Sequence, residues 1–266
     1  MTEVLTMTIE EHVATVTLNR PAKHNAINFE MFAALAEAGE QLKSKPTVRA
    51  VVLNGAGDNF CSGIDTSVFK QAGAGIDPTM MAPVRPSPAN FFQRPAYVWR
   101  ELGVPVICAL QGAVYGGGLQ IALGADLRFA GPSARLSIME IKWGLIPDLA
   151  ISTTLRDILR LDQVKELAWS GRVVDAAEAL ELGLVTAVHD DPFAAAQQFA
   201  ADVANKSPDA IQSMKKLVNQ AWQMSDADAL ALEAQLQSSI LGAQNQVEAA
   251  MSNLEGRDPA FEDRNA

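Results

Sequence analysis

Gly112-Ala-Val-Tyr-Gly-Gly-Gly-Leu-Gln-Ile-Ala-Leu-Gly-Ala-Asp126 (GAVYGGGLQIALGAD) places three consecutive glycines at the mouth of an apolar helical run. Glycine loses more conformational freedom on folding than any other residue, so the run implies a need for bare backbone. Two needs fit. Glycines permit close packing of a helix on a strand, and they also let a ligand approach the helix start. The first-turn N–H groups of a helix have no intrahelical partner and lie at the positive end of its dipole. They can therefore stabilise an oxyanion.

Working outward, Val104–Leu110, Asp126–Ala130 and Arg49–Asn54 are short apolar runs suited to buried parallel strands. Helical patterns separate them, which predicts βαβ-type units with right-handed crossovers. Val4–Ile9 and His12–Asn19 read as two strands joined by a tight turn, and Phe29–Lys43 as a helix with Asn28 as N-cap. Gln71–Pro95 is loaded with Gly, Pro, Met and Ala, and so long a loop inside a compact domain is usually functional.

After Leu155 the pattern turns helical: Gln163–Ser170, Asp175–Leu182, Pro192–Asn205, Pro208–Trp222, Ala227–Leu241 and Gln244–Leu254. One short strand at Leu184–Val188 interrupts it. Ser207 and Asp226 stand where caps belong. The chain divides near residue 200, into an α/β core (1–200) and a helical C-terminal segment (201–266). Leu230, Leu232, Leu236, Ile240, Val247, Met251 and Leu254 give the last helices wide apolar faces. Those faces fit either an oligomer contact or docking on the chain's own core.

The 266 residues are 48% hydrophobic and 20% charged, which fits an ordinary globular protein. A net charge of −10 argues against nucleic-acid or membrane-surface partners. Cys61, Cys108, His12, His24 and His189 are scattered and fit no metal or redox spacing. No apolar run is long enough to span a bilayer, and MTEVLTMTIEEH lacks the pattern of a signal peptide, so a cytoplasmic location is expected.

A second glycine loop, Asn54–Asp65 (NGAGDNFCSGID), also follows an apolar strand. It fails the dinucleotide fingerprint because Phe60 stands where the third glycine belongs, and neither loop has a P-loop ending. Two such loops could instead each contribute one amide to an oxyanion hole.

Six segments together resemble the crotonase superfamily, also called the enoyl-CoA hydratase/isomerase family. They are VTLNRPAKHNAIN (16–28), VVLNGAGDNFCSGID (51–65), PVICALQGAVYGGGLQIALGADLRFA (105–130), LSIMEIKWGLIPD (136–148), LELGLVTAV (180–188) and EGRDPAF (255–261). The resemblance implies an α/β spiral of ββα units with a helical C-terminal segment, binding an acyl-CoA thioester, as a homotrimer or homohexamer. It implies an oxyanion hole at the amides of Ile64 and Gly117. Coenzyme A then enters as part of the substrate, with no permanently bound cofactor and no metal.

Family hydratases carry a glutamate at each of two positions, here Gln120 and Glu140. An amide cannot accept and return a proton at neutral pH. Asp148, eight residues after Glu140, gives the acid spacing of the family's dienoyl-CoA isomerases, although those have an aspartate at the position of Gln120. The resemblance thus implies Glu140 and Asp148 as a proton-transfer pair, with Gln120 orienting Glu140 or the substrate. The bland alternatives are an N-cap role for Asp148 before Ile151–Leu159, a surface ion pair for Glu140, and solvent exposure for Gln120.

For the coenzyme A portion the expected contacts are Lys23, Ala26, Asp65 and Arg20, with Lys215 and Lys216 as further cations. For the acyl pocket they are Phe69, Phe92, Tyr97, Trp99 and Trp143. The expected activity is a double-bond shift in an enoyl- or dienoyl-CoA. A hydratase or other acyl-CoA lyase using mainly Glu140, and a non-catalytic acyl-CoA binder, are the alternatives.

Overall fold

The computed structural model describes residues 3–68 and 77–264. β1 (Leu5–Glu10) and β2 (Val13–Leu18) pair antiparallel around Glu11 and His12, whose φ angles of 45° and 70° are those of a tight hairpin turn. α1 (Phe29–Lys43) follows, with the Asn28 side chain accepting the Met31 N–H at 2.9 Å. Its buried stripe of Met31, Leu35, Ala38 and Leu42 has the helical period the sequence predicts.

The chain then runs through β3 (Ala50–Gly55), α2 (Arg94–Glu101), β4 (Val106–Leu110), β5 (Ala113–Tyr115), α3 (Gly117–Gly124), β6 (Leu127–Ala130) and β7 (Arg135–Ser137). Next come α4 (Ile151–Thr154), α5 (Leu161–Ser170), β8 (Val174–Asp175), α6 (Ala176–Leu182) and β9 (Ala187–Val188). Four longer helices complete it: α7 (Pro192–Ala204), α8 (Pro208–Ala221), α9 (Asp226–Ile240) and α10 (Gln244–Glu255).

Two sheets organise these elements. The larger has the order β1-β2-β3-β4-β6-β9 and is parallel beyond its first pair. The smaller has the order β5-β7-β8, and the loop residues Cys61 and Ile64 bridge to Val114 and Ile27 beside it. Successive turns place a strand in the large sheet, a short strand in the small one, and then a helix. This is the spiral of ββα units.

One face of the large sheet packs on α1, α2 and α3. The other face, through Val13, Ala50, Val52, Ile107 and Phe129, is covered by Ala196, Ala200 and Ala204 of α7. Alanines at this spacing let the helix lie close on the strands. Residue 200 therefore falls inside a helix that packs on the core. α9 buries none of its residues, and Leu230 is 65% exposed.

Several local details differ from the sequence pattern. Ser225 caps α9 by accepting the Asp228 N–H, and Asp226 is its first helical residue. Ser207 precedes α8 without a side-chain cap bond. Only Ala187–Val188 of the expected 184–188 strand pairs, because Leu184 and Val185 turn into the core after α6. Within Gln71–Pro95 a 3₁₀ turn occupies Pro78–Met81 and α2 begins at Arg94, while Phe69 and residues 71–76 lie outside the described residues. Among the described residues no helix is long and apolar enough to cross a membrane.

Candidate active site

The first wall of the site is main chain. Asn25 is fully buried. Its amide donates to the carbonyls of Ala56 and Asn59 at 2.9 and 2.8 Å and accepts the Arg20 N–H at 2.8 Å. This pins the loop after β3. Beyond it, the Gly63 carbonyl and the Asp65 N–H both pair with Ile27. Peptide groups alternate edges along an extended strand, so the Ile64 N–H faces the other way, toward residues 115–117. A Cβ added to Gly63 would stand 4.0 Å from the Gly117 nitrogen, and one added to Gly117 would stand 3.0 Å from Ile64 Cδ1. Among the described residues no acceptor takes the N–H of Ile64 or of Gly117.

The glycine triplet serves more than one need. Gly116 has φ 51°, and a Cβ there would lie 3.1 Å from Glu140 Oε1. A Cβ on Gly118 would come within 2.7 Å of both Cβ and the carbonyl oxygen of Cys61. Close helix packing and an accessible amide thus coexist in adjacent residues.

The second wall is made of side chains. Gln120 lies on α3 with 1% exposure, which excludes the solvent-facing alternative. Its Nε2 donates to Glu140 Oε1 at 2.7 Å, and its Oε1 accepts the Leu149 N–H at 2.8 Å. Glu140 opens a 3₁₀ turn (Glu140–Trp143) just past β7 and makes no ion pair among the described residues. Its second oxygen, Oε2, is buried without a partner. Burial pushes the Glu140 carboxyl above its ordinary value, the Gln120 bond opposes this, and the negative charge of Asp148 adds to the rise. Asp148 is exposed at its rim, yet its surroundings also push its carboxyl upward by desolvation. The N-cap of α4 is Ala150, so Asp148 does not cap that helix.

Ile64, Gly117, Glu140, Trp143, Asp148 and Leu149 line one cleft of about 100 Å³. Its outer rim is apolar, with Ile146 79% exposed and Leu145 beside it. Three of the expected acyl-pocket residues do not line this cleft. Phe92 belongs to a ring cluster with Phe29, Phe32 and Phe91, Trp99 of α2 is fully buried, and Tyr97 is half-buried on α2. Large aromatic side chains are core-formers first, which is why composition alone misplaces them. Asn25 and the Leu149 N–H also shape the site, unannounced by the sequence. Nothing in the local pattern marks a buried amide or a main-chain donor.

Of the residues expected near coenzyme A, Arg20, Ala26 and Asp65 form one unit. The Arg20 guanidinium donates to the Ala26 carbonyl and pairs with Asp65 at 3.0 Å. The Ser67 N–H and Arg20 hold the Asp65 carboxyl below its ordinary range. Lys23 is exposed at the end of a 3₁₀ turn (Pro21–Lys23), and Lys216 is exposed on α8. Lys215 is not a free cation. It is buried, with Nζ at 2.7 Å from Asp126 Oδ2, 2.8 Å from the Val104 carbonyl and 3.1 Å from that of Trp99. Among the described residues no cluster of His, Cys, Asp or Glu has metal-binding geometry.

Two free amides beside a carboxyl of raised pKa suit one kind of chemistry. The amides stabilise negative charge developing on a carbonyl oxygen, and the carboxyl moves a proton at a neighbouring carbon. Residues 8–264 match the family model described as enoyl-CoA hydratase/isomerase. The chain belongs to the enoyl-CoA hydratase/isomerase family, and it is an enzyme of that kind. It is 30% identical over 95% of its length to the enoyl-CoA hydratase EchA19 of Mycobacterium tuberculosis, spanning 94% of that protein. It is 33% identical over 94% of its length to the mitochondrial Delta(3,5)-Delta(2,4)-dienoyl-CoA isomerase of Mus musculus, spanning 78% of it. Among solved structures, an enoyl-CoA hydratase from Polaromonas sp. JS666 superposes with a TM-score of 0.87 at 26% identity, over 97% of this chain and 99% of that one.

Proposed function

We propose that this family member shifts carbon–carbon double bonds in an enoyl- or dienoyl-CoA thioester. The observation that carries the reading is one cleft lined by two carboxyls of raised pKa, Glu140 and Asp148, beside the amides of Ile64 and Gly117. The third acid position holds Gln120, whose amide oxygen and one N–H are already engaged.

The thioester oxygen accepts hydrogen bonds from the Ile64 and Gly117 N–H groups. Glu140, adjacent to Gly116, removes a proton from the carbon next to the thioester through its unpartnered Oε2. The C–H electron pair passes into a conjugated enolate whose charge rests on the thioester oxygen. Asp148, entering protonated, donates its proton to a carbon further along the chain as the electrons return. The substrate gains and loses one proton, and its double bonds move toward the thioester. Raised carboxyl pKa values suit both roles, since an acid or base works best near the working pH.

Coenzyme A enters and leaves with the substrate, and the proton shift requires no resident cofactor. Lys23, exposed at the end of its turn, would meet its phosphates, while Arg20 would act through Ala26 and Asp65. The exposed apolar residues around Ile146 and Leu230 would be covered in a homotrimer or homohexamer.

The test is a 3,5-dienoyl-CoA, whose conversion to the 2,4-diene is read by ultraviolet absorbance, run beside crotonyl-CoA hydration. Diene conversion well above hydration supports the reading. Hydration alone would assign Glu140 as a single-base hydratase, and tight binding with turnover of neither would make the chain a non-catalytic binder.

A further inference from the structure

We infer that Gln120 is the positioning residue that holds both proton-transfer carboxyls in register and tunes Glu140. This rests on the double-bond shift proposed above and deepens it. Gln120 stands on the first turn of α3, all of whose residues are buried, so its stem is fixed. Its two polar atoms reach different segments, Glu140 by Nε2 and the Leu149 N–H by Oε1. Leu149 follows Asp148 directly. One amide therefore spans the two acid-bearing stretches.

The strap carrying Asp148 needs such a hold. Residues 144–149 form no helix or strand, and Leu145 and Ile146 lie exposed. Among the described residues, the bond from Leu149 to Gln120 is the one that ties the backbone of 146–149 to another residue. The amide also has one workable orientation. Flipped, it would set a carbonyl oxygen against the Glu140 carboxyl and an NH₂ against the Leu149 N–H.

The chemical consequence falls on Glu140. The Gln120 donor occupies Oε1 and leaves Oε2 as the atom that exchanges protons. A hydrogen bond donated to the ionised form favours it, so Gln120 opposes the rise that burial imposes. A carboxylate at position 120 would do the opposite, adding like charge 2.7 Å away. Neutrality at this position is part of the design.

The test compares Gln120→Met, which keeps the length and removes both bonds, with Gln120→Glu. The Glu140 titration is followed by ¹³C NMR of labelled glutamate carboxyls, assigned by the signal lost in Glu140→Gln. In Gln120→Met, Glu140 titrates at higher pH than in the unaltered protein. Its kcat falls about 100-fold, the scale of a catalytic group displaced by an ångström. KM stays within about twofold, since no substrate contact is removed. The acidic limb of kcat/KM moves with the titration. In Gln120→Glu, activity passes through a maximum where the carboxyl pair holds one proton, one carboxyl then donating while the other stays ionised as the base. If Gln120→Met does not fold, Gln120→Glu carries the same test, with Glu140 again titrating at higher pH than in the unaltered protein. An unmoved Glu140 titration, or a loss of kcat with the acidic limb unmoved, overturns the inference. Absence of isomerase activity in the unaltered protein would sink the proposed reaction alone, because the titration needs no substrate.

Discussion

The two walls of the cleft are built on opposite principles. The wall holding Ile64 and Gly117 is backbone, locked by strand pairing to Ile27 and Val114 and by the buried amide of Asn25. The wall holding Glu140 and Asp148 is side chain on an irregular, exposed strap secured through Gln120. A rigid donor pair suits an oxygen whose position is the same in every thioester. A strap held by one amide lets the acids differ without disturbing those donors. If this division is right, damage to the acid wall costs chemistry with little stability, and damage to the amide wall costs both.

The largest effect should come from the acid wall. Glu140→Gln keeps shape and removes the proposed base, so kcat for diene conversion should fall about 10²–10⁴-fold, with the melting temperature no lower. Asp148→Asn should cut diene conversion by at least about 100-fold while sparing any crotonyl-CoA hydration. Equal loss of both activities would break the assignment of separate roles. Lys215→Met strands the buried carbonyls of Trp99 and Val104 and should cost about 1–3 kcal/mol in denaturant unfolding. Gly118→Ala drives a methyl into Cys61 and should cost about 1–3 kcal/mol, together with a loss of kcat.

The smallest effect is a pH dependence. Burial raises the Glu140 carboxyl above its ordinary value of about 4.5 in the fold, so the folded chain favours its neutral form more than the unfolded chain does. Its contribution to stability is full below that ordinary value and is lost as pH rises through the raised one. Glu140→Gln should therefore raise the melting temperature at neutral pH, and the gain should vanish near pH 4.

The parts legible in the sequence were those whose physics is local. Apolar runs marked β3, β4 and β6, helical spacing with Asn28 marked α1, and the glycine triplet marked the start of α3. The resemblance then named Ile64, Gly117, Glu140 and Asp148, which the fold places around one cleft. What could not be read depends on which surface a residue finally meets. Lys215 looks like any lysine on an amphipathic helix until the carbonyls of Trp99 and Val104 surround it. Trp99 and Phe92 look like pocket residues until the core claims them. Gln120 looks like a lost acid until both ends of its amide find partners.

Asp126 follows α3 by two residues, and its carboxylate takes both Lys215 of α8 and the Val106 N–H at the head of β4. The opposite end of α3 is Gly117. An eight-residue rod of about 12 Å thus runs from an ion pair at the base of the fold to Gly117, the proposed oxyanion donor. The same carboxylate thus joins a C-terminal helix to the helix whose first residue is Gly117.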